Sequence, residues 1–281
     1  FQDIASLVEI PSTRASAQPG MPYGLGPYLA LQRGLELMQE KGLKTKTWDG
    51  HVVTGDLTDL EPGLDILAHL DVVPAEGVWE HAPFSGDIAD GKVWGRGAAD
   101  TKCSLMAFFE AAEQLLAEGY TPATDVYLAS SCTEEWAGDG APKIVRELQR
   151  RGVELFLLCD EGGGIIREPI AGVPGNFAMV GVFEKGKADV RFTAKSTGGH
   201  ASAPAAHSPI ARLADFVHET ETHSPFRKKM LSEVAAMFRT LSPYASFGLR
   251  LVFGNLWLFR PLLLLVLPKL SAQAGAMLKT T

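Results

Sequence analysis

A chain of 281 residues with 46% apolar and 21% charged residues is an ordinary globular protein, long enough for one large domain or two smaller ones, which excludes a disordered or fibrous chain. Its formal net charge of −7 argues against nucleic acid or an anionic membrane surface as the main partner, since both attract basic patches. Three cysteines, Cys103, Cys132 and Cys159, form no CxxC pair, so neither a zinc ribbon nor a disulfide framework is expected and a reducing cytoplasm fits.

The start, Phe1-Gln2-Asp3-Ile4, lacks a basic stretch followed by an apolar one, so no signal peptide is expected. Leu31, Leu35 and Met38 recur at helical spacing and predict a helix over 28–41, stopped by Gly42. Strand-like runs follow at 44–48, 52–57 and 65–70. The third is apolar through Ile66-Leu67-Ala68 and then turns polar, as a buried strand does when it delivers side chains to a site at its carboxyl edge. A helix over 101–118 puts Leu105, Phe108, Phe109, Ala112, Leu115 and Leu116 on its core face. Residues 125–131 read as a strand ending near Cys132, 142–151 as a helix opened by Pro142, and 154–158 as a strand before Cys159. Both cysteines close apolar runs and read as small buried hydrophobes. The alternation predicts an α/β fold with a mostly parallel sheet flanked by helices.

Past Gly181 the texture changes. Residues 187–194 alternate, with Ala188, Val190, Phe192 and Ala194 on one side, predicting a half-exposed strand of a second sheet. Helices over 209–221 and 226–241 follow. A boundary near Glu184-Lys185-Gly186 divides a first domain, 1–184, from a second, 185–281. The most apolar run, 262–267, lies between Pro261 and Pro268 and falls short of the ~20 residues that cross a bilayer, so a soluble protein is expected.

The chemistry gathers at the strand ends. His69 and Asp71 are two apart, and on a strand they share a face, where a carboxylate fixes the tautomer of a ligand histidine. Asp100 closes Gly95-Arg96-Gly97-Ala98-Ala99 before a helix. It reads either as that helix's cap or as a carboxylate with one oxygen for each of two cations. Glu134-Glu135 follows one apolar strand and Asp160-Glu161 the next, and adjacent acids there are costly unless something positive lies beside them. One acid of a pair can hold a metal while the other moves a proton. One histidine and several carboxylates without thiolate suit zinc, with manganese or cobalt as substitutes. His200 lies in a glycine-rich turn of the second domain. The other histidines have no partner pattern.

These motifs resemble the M20 metallopeptidase family: HLDVVP at 69–74, WEHAPFSGDIADGKVWGRGAADTK at 79–102, EE at 134–135, DEGG at 160–163 and GGHASAP at 198–204. Some segments look most like its carboxypeptidase S and N-acyl-amino-acid hydrolase branches, others like its PepV dipeptidases. The resemblance implies a zinc-peptidase catalytic domain with a smaller α+β, ferredoxin-like lid that commonly dimerises. It makes His69 and Asp160 ligands of the first zinc, Glu135 of the second, and Asp100 the bridge, with Asp71 behind His69. Glu134 would be the general base that takes a proton from the metal-bridged water and passes it to the leaving nitrogen of a small peptide or N-acyl amino acid. It also implies a cis Asp100–Thr101 bond, and a lid histidine, His200, that steadies the oxyanion in a partner subunit's site.

Members of that family have a last histidine ligand near their C-terminus, and no histidine here stands in a matching motif. The chain is therefore expected to be C-terminally incomplete and to bind its second metal weakly. A competing reading is a non-catalytic binding or assembly protein on the same fold, or an inactive fragment. The presence of both Glu134 and Asp100 weighs against it.

Overall fold

Apolar residues at helical spacing build the first layer. α1 (Gln2–Val8) and α2 (Leu25–Glu40) bury Leu7, Ala30, Leu31, Leu37 and Met38, and the chain leaves α2 through Gly42 at a φ of +81°. Strands β1 (Lys44–Trp48), β2 (Val52–Asp56) and β3 (Gly63–His69) follow, then a small hairpin of β4 (Ile88–Ala89) and β5 (Lys92–Val93). Next come α3 (Cys103–Ala117), β6 (Asp125–Ser131), α4 (Gly140–Arg151) and β7 (Leu155–Cys159). The computed structural model describes residues 1–48, 52–56, 63–183, 188–200, 202, 206–270 and 272–278.

The strands form one sheet in the order β1-β2-β6-β3-β7. β3 runs parallel to β6, with His69 opposite Ser131, and parallel to β7, while β2 joins β6 and β1 joins β2 antiparallel. The expected parallel arrangement thus forms around β3, where α3 and α4 serve as crossovers that return the chain in the same direction. Phe109, Leu105 and Met106 of α3 pack with α1, α2, Leu70 and Leu128 on one face. Ile144 and Leu148 of α4 pack against Tyr127 and Ala129 on the other. Parallel direction has one consequence for function: the residues after β3, β6 and β7 emerge at the same edge.

The chain folds as two units, Phe1–Glu161 and Gly162–Thr281. The expected boundary at Glu184-Lys185-Gly186 lies outside the described residues. In the second unit β8 (Gly164–Arg167) and β9 (Asn176–Met179) form a hairpin. Then follow α5 (Pro209–Thr222), α6 (Ser232–Leu241), α7 (Phe247–Gly254), α8 (Leu256–Leu270) and α9 (Ala272–Ala276), with Val173, Phe238, Phe253, Leu256 and Leu263 in their own core.

Two expectations fail here. Lys187 is outside the described residues, and the alternating stretch 188–194 forms no strand. Alternation marks a surface that could be half buried, but a strand also needs a paired neighbour, and among the described residues none pairs with it. Phe192 instead lies with its ring 4.4 Å from that of Phe216 on α5. The helix expected from 226 begins only at Ser232, because the Lys229 amide is taken by the Leu278 carbonyl rather than by a helical turn.

Candidate metal centre

β3 hands the chain to the site at His69, which is 3% exposed. The Leu70 amide donates to the Ser131 carbonyl and the Ser130 hydroxyl to the Ala68 carbonyl, so the ends of β3 and β6 are clamped together. Beyond β6 the loop bearing Glu134 and Glu135 folds tightly back. Thr133 Oγ1 accepts from the Gly140 amide, and a Cβ on Gly140 would stand 2.4 Å from that of Ser131. Glycine is required there.

Asp71 is 1% exposed. Its two carboxylate oxygens accept from the Glu134 and Glu135 amides, each at 3.1 Å. The imidazole Nδ1 of His69 lies 2.9 Å from the Asp71 main-chain carbonyl but 3.7 Å from its Oδ1. The expected support of His69 by Asp71 therefore reaches it chiefly through the backbone, while the carboxylate aims the two glutamates.

The other ring nitrogen, Nε2, faces three acids. Asp100 Oδ1 and Glu161 Oε2 each stand 3.3 Å away and Glu134 Oε2 3.9 Å away. The Asp100–Thr101 bond is cis, as the resemblance implied. One donor atom each from His69, Glu134 and Glu161 all fall within 4.8 Å of one another. Glu135 is half buried, and the charges of Asp100 and Asp71 act on it. Asp160 is exposed. It lines the small cavity, about 180 Å³, that also contacts His69 and Glu134, and it accepts from the Glu161 amide at 2.8 Å. Glu161 is thus the member of its pair that reaches the imidazole. His200 belongs to the second unit, where it is exposed with Nδ1 2.7 Å from the Ser202 hydroxyl.

Electrostatics describe the same place. Burial lowers the pKa of His69, but the hydrogen bond and charge of Glu161, with Asp71, carry it to about 9. Burial raises Glu134; His69 opposes this, and the charges of Glu161, Glu135 and Asp71 reinforce it. The His69 hydrogen bond holds Glu161 below the usual carboxylate range. The carboxylates of Asp71, Asp100, Glu134 and Glu161 thus all stand within 4 Å of one imidazole. A donor set of nitrogen and oxygen with excess negative charge can hold a metal cation, and His69, Glu134 and Glu161 offer the donor atoms that lie within reach of one another.

One further residue was not legible in the sequence. Lys102 is fully buried, and its Nζ donates to the Leu7 carbonyl at 3.0 Å and to the Ser12 hydroxyl at 3.1 Å. The Ser12 hydroxyl in turn donates to the Leu70 carbonyl at 2.7 Å, and the Ser12 main-chain carbonyl accepts from the Val72 amide. The ammonium therefore ties α1 to the segment that carries His69 and Asp71.

A family profile described as Peptidase family M20/M25/M40 matches residues 66–254. The chain belongs to this family. The M20 chain is 38% identical over 240 residues to the N-fatty-acyl-amino acid synthase/hydrolase PM20D1.1 of Danio rerio, covering 82% of this chain and 45% of that protein. It is 35% identical over 204 residues to carboxypeptidase S of Saccharomyces cerevisiae, covering 68% of this chain and 33% of that protein. This M20 chain thus spans under half the length of these relatives. In three dimensions it is similar to an M20 family metallo-carboxypeptidase from Sulfolobus solfataricus, with a TM-score of 0.50 and 24% identity over 58% of this chain and 37% of that one. That likeness concerns the fold.

Proposed function

We propose that this chain carries the metal-binding machinery of a dinuclear zinc hydrolase that cleaves the amide bonds of small peptides or N-acyl amino acids. The observation that supports the reading most is the meeting of Asp100, Glu134 and Glu161 around one ring nitrogen of His69, from three separate chain segments. In this reading His69, Asp100 and the Asp160–Glu161 pair serve one ion, and Asp100 and Glu135 the other. Asp160 is the donor the resemblance implies, and the approach of Glu161 to His69 favours Glu161. Zinc supplies Lewis acidity and an acidified water, with manganese or cobalt as substitutes.

Glu134 is the general base. Its carboxylate removes a proton from the attacking water, whose oxygen bonds to the amide carbon. The C–N bond then breaks, and Glu134 returns the proton to the departing nitrogen. Burial and neighbouring charges raise its proton affinity above that of an ordinary carboxylate, which suits a group that must accept a proton and then release it.

The names of relatives, an N-fatty-acyl-amino acid synthase/hydrolase and a carboxypeptidase, favour an N-acyl amino acid or a peptide with a free carboxylate as substrate. Three further elements belong to the same reading: an α+β, ferredoxin-like lid over 185–281, a homodimer made through it, and His200 as the oxyanion partner in the other subunit's site. The lack of a CxxC pair favours a cytoplasmic location. The test is to assay the zinc-loaded protein on dipeptides and N-acyl amino acids beside Glu134→Gln. The variant should lose turnover while the metal stays bound, and a Glu134→Gln protein with unimpaired turnover would refute the assignment.

A further inference from the structure

The net charge of −7 is an average over two unlike parts. From Ser224 to Thr281 the sequence holds eight basic residues and a single acid, Glu233, whereas the first 223 residues are strongly acidic. Such asymmetry points to an anionic partner for the basic part. After Glu233 no acid occurs at all, while Arg239, Arg250, Arg260 and Lys269 are all exposed.

The same stretch contains the most apolar helices of the protein. α7 and α8 turn Phe253, Leu256 and Leu263 inward, each no more than 7% exposed, into the core of their unit. Their other face is apolar too. Phe247 and Leu251 on α7, and Trp257, Leu258, Leu262 and Leu265 on α8, are between 48% and 79% exposed. On α8 these positions recur at i, i+1, i+5 and i+8, so they form one continuous stripe, and Lys269 continues it. A helix that is apolar on both sides has one side for a protein core and another that water does not suit. The two helices meet at a bend of 109°, and no single helix among the described residues is long and apolar enough to cross a membrane.

We propose that the exposed face of α7 and α8 is a docking surface for an anionic lipid bilayer. The helix pair lies in the headgroup layer, with the leucine stripe turned to the acyl chains, Trp257 at its rim, and Arg250 and Lys269 among the lipid phosphates. A tryptophan at the rim and cations beside an apolar stripe are the chemistry of an interfacial helix. A second copy of the chain fits less well, because a symmetric pairing would bring two acid-free basic faces together. Nucleic acid fits less well because leucines separate the cations.

The inference does not depend on the hydrolase reading, and its test does not use turnover. The chain, with and without zinc, is sedimented with vesicles of phosphatidylcholine alone and of phosphatidylcholine with about one third phosphatidylserine. Binding to the anionic vesicles, weakened by salt, is expected. Lys269→Glu should reduce it about fivefold or more, in line with the contribution of one cation near an anionic surface. Leu262→Ser with Leu265→Ser should abolish it, and as both side chains are exposed the melting temperature should hold. No binding to anionic vesicles at low salt would overturn the proposal, as would binding that survives the serine variants. Competition by duplex DNA at equal affinity would assign the basic stretch to nucleic acid and overturn it. So would a concentration-dependent dimer that the serine variants dissociate, without vesicle binding.

Discussion

Replacing Asp71 by asparagine removes a charge while keeping the shape, and the structure gives the size of the effect. The carboxylate holds the amides of Glu134 and Glu135 at 3.1 Å each, in a place where the residue is 1% exposed. Hydrogen bonds to a charged acceptor contribute about 1.5–3 kcal/mol each. Asparagine offers one oxygen, so one of the two amides would face an NH2 group and lose its partner. Against this, burial raises the pKa of Asp71, so removing the charge relieves part of a desolvation cost. The net loss should be about 2 kcal/mol, or roughly 4–8 °C in melting temperature for a unit of this size. Because the same bonds aim both glutamates, zinc affinity should fall about 10- to 100-fold. Competition for zinc against a chromogenic chelator, beside thermal melts of metal-free and loaded protein, measures both. An asparagine variant with wild-type melting and zinc affinity would show that Asp71 does not organise the centre.

Two further outcomes are expected. In the metal-free protein the pKa of His69 is raised from 6.5 to about 9 by Glu161 and Asp71 against the effect of burial. Stability from the protonated imidazole is then complete below pH 6.5 and lost as pH rises through 9. Metal-free protein should melt lower at pH 9 than at pH 6.5, Glu161→Gln should flatten that dependence, and zinc uptake below pH 9 should release protons, as a pH-indicator titration would register. Lys102→Met should destabilise the first unit by about 1–3 kcal/mol, because the Leu7 carbonyl and Ser12 hydroxyl lose their donor while a buried charge is removed. Denaturant unfolding reads this, and an unchanged midpoint would mean the ammonium holds nothing in place.

Much of the first unit was legible in the sequence. β3, α3, β6, α4 and β7 stand within a few residues of the segments that apolar spacing, Gly119 and Pro142 mark out, and the acids after those strands read as one site from the sequence alone. The cis bond at Asp100 followed from resemblance to a family and not from any pattern in the chain. The second unit was less legible. The helices over 247–270 run through Pro261 and Pro268, which as sequence signals looked like boundaries.

By itself the sequence determined which residues seek burial and roughly where helices and strands lie, because periodicity records a local relation between neighbours on one face. Tertiary structure decided how those elements are used. Glu161 rather than Asp160 reaches His69, the Asp71 carboxylate turns to the amides of Glu134 and Glu135, and Lys102 is buried against Leu7 and Ser12, some 90 residues earlier in the chain. Each depends on which way a side chain turns at the end of an element and on what a distant segment brings to meet it. Neither is written in the spacing of nearby residues, for the same reason that the alternation over 188–194 did not make a strand: a pattern describes one surface, and pairing requires a second.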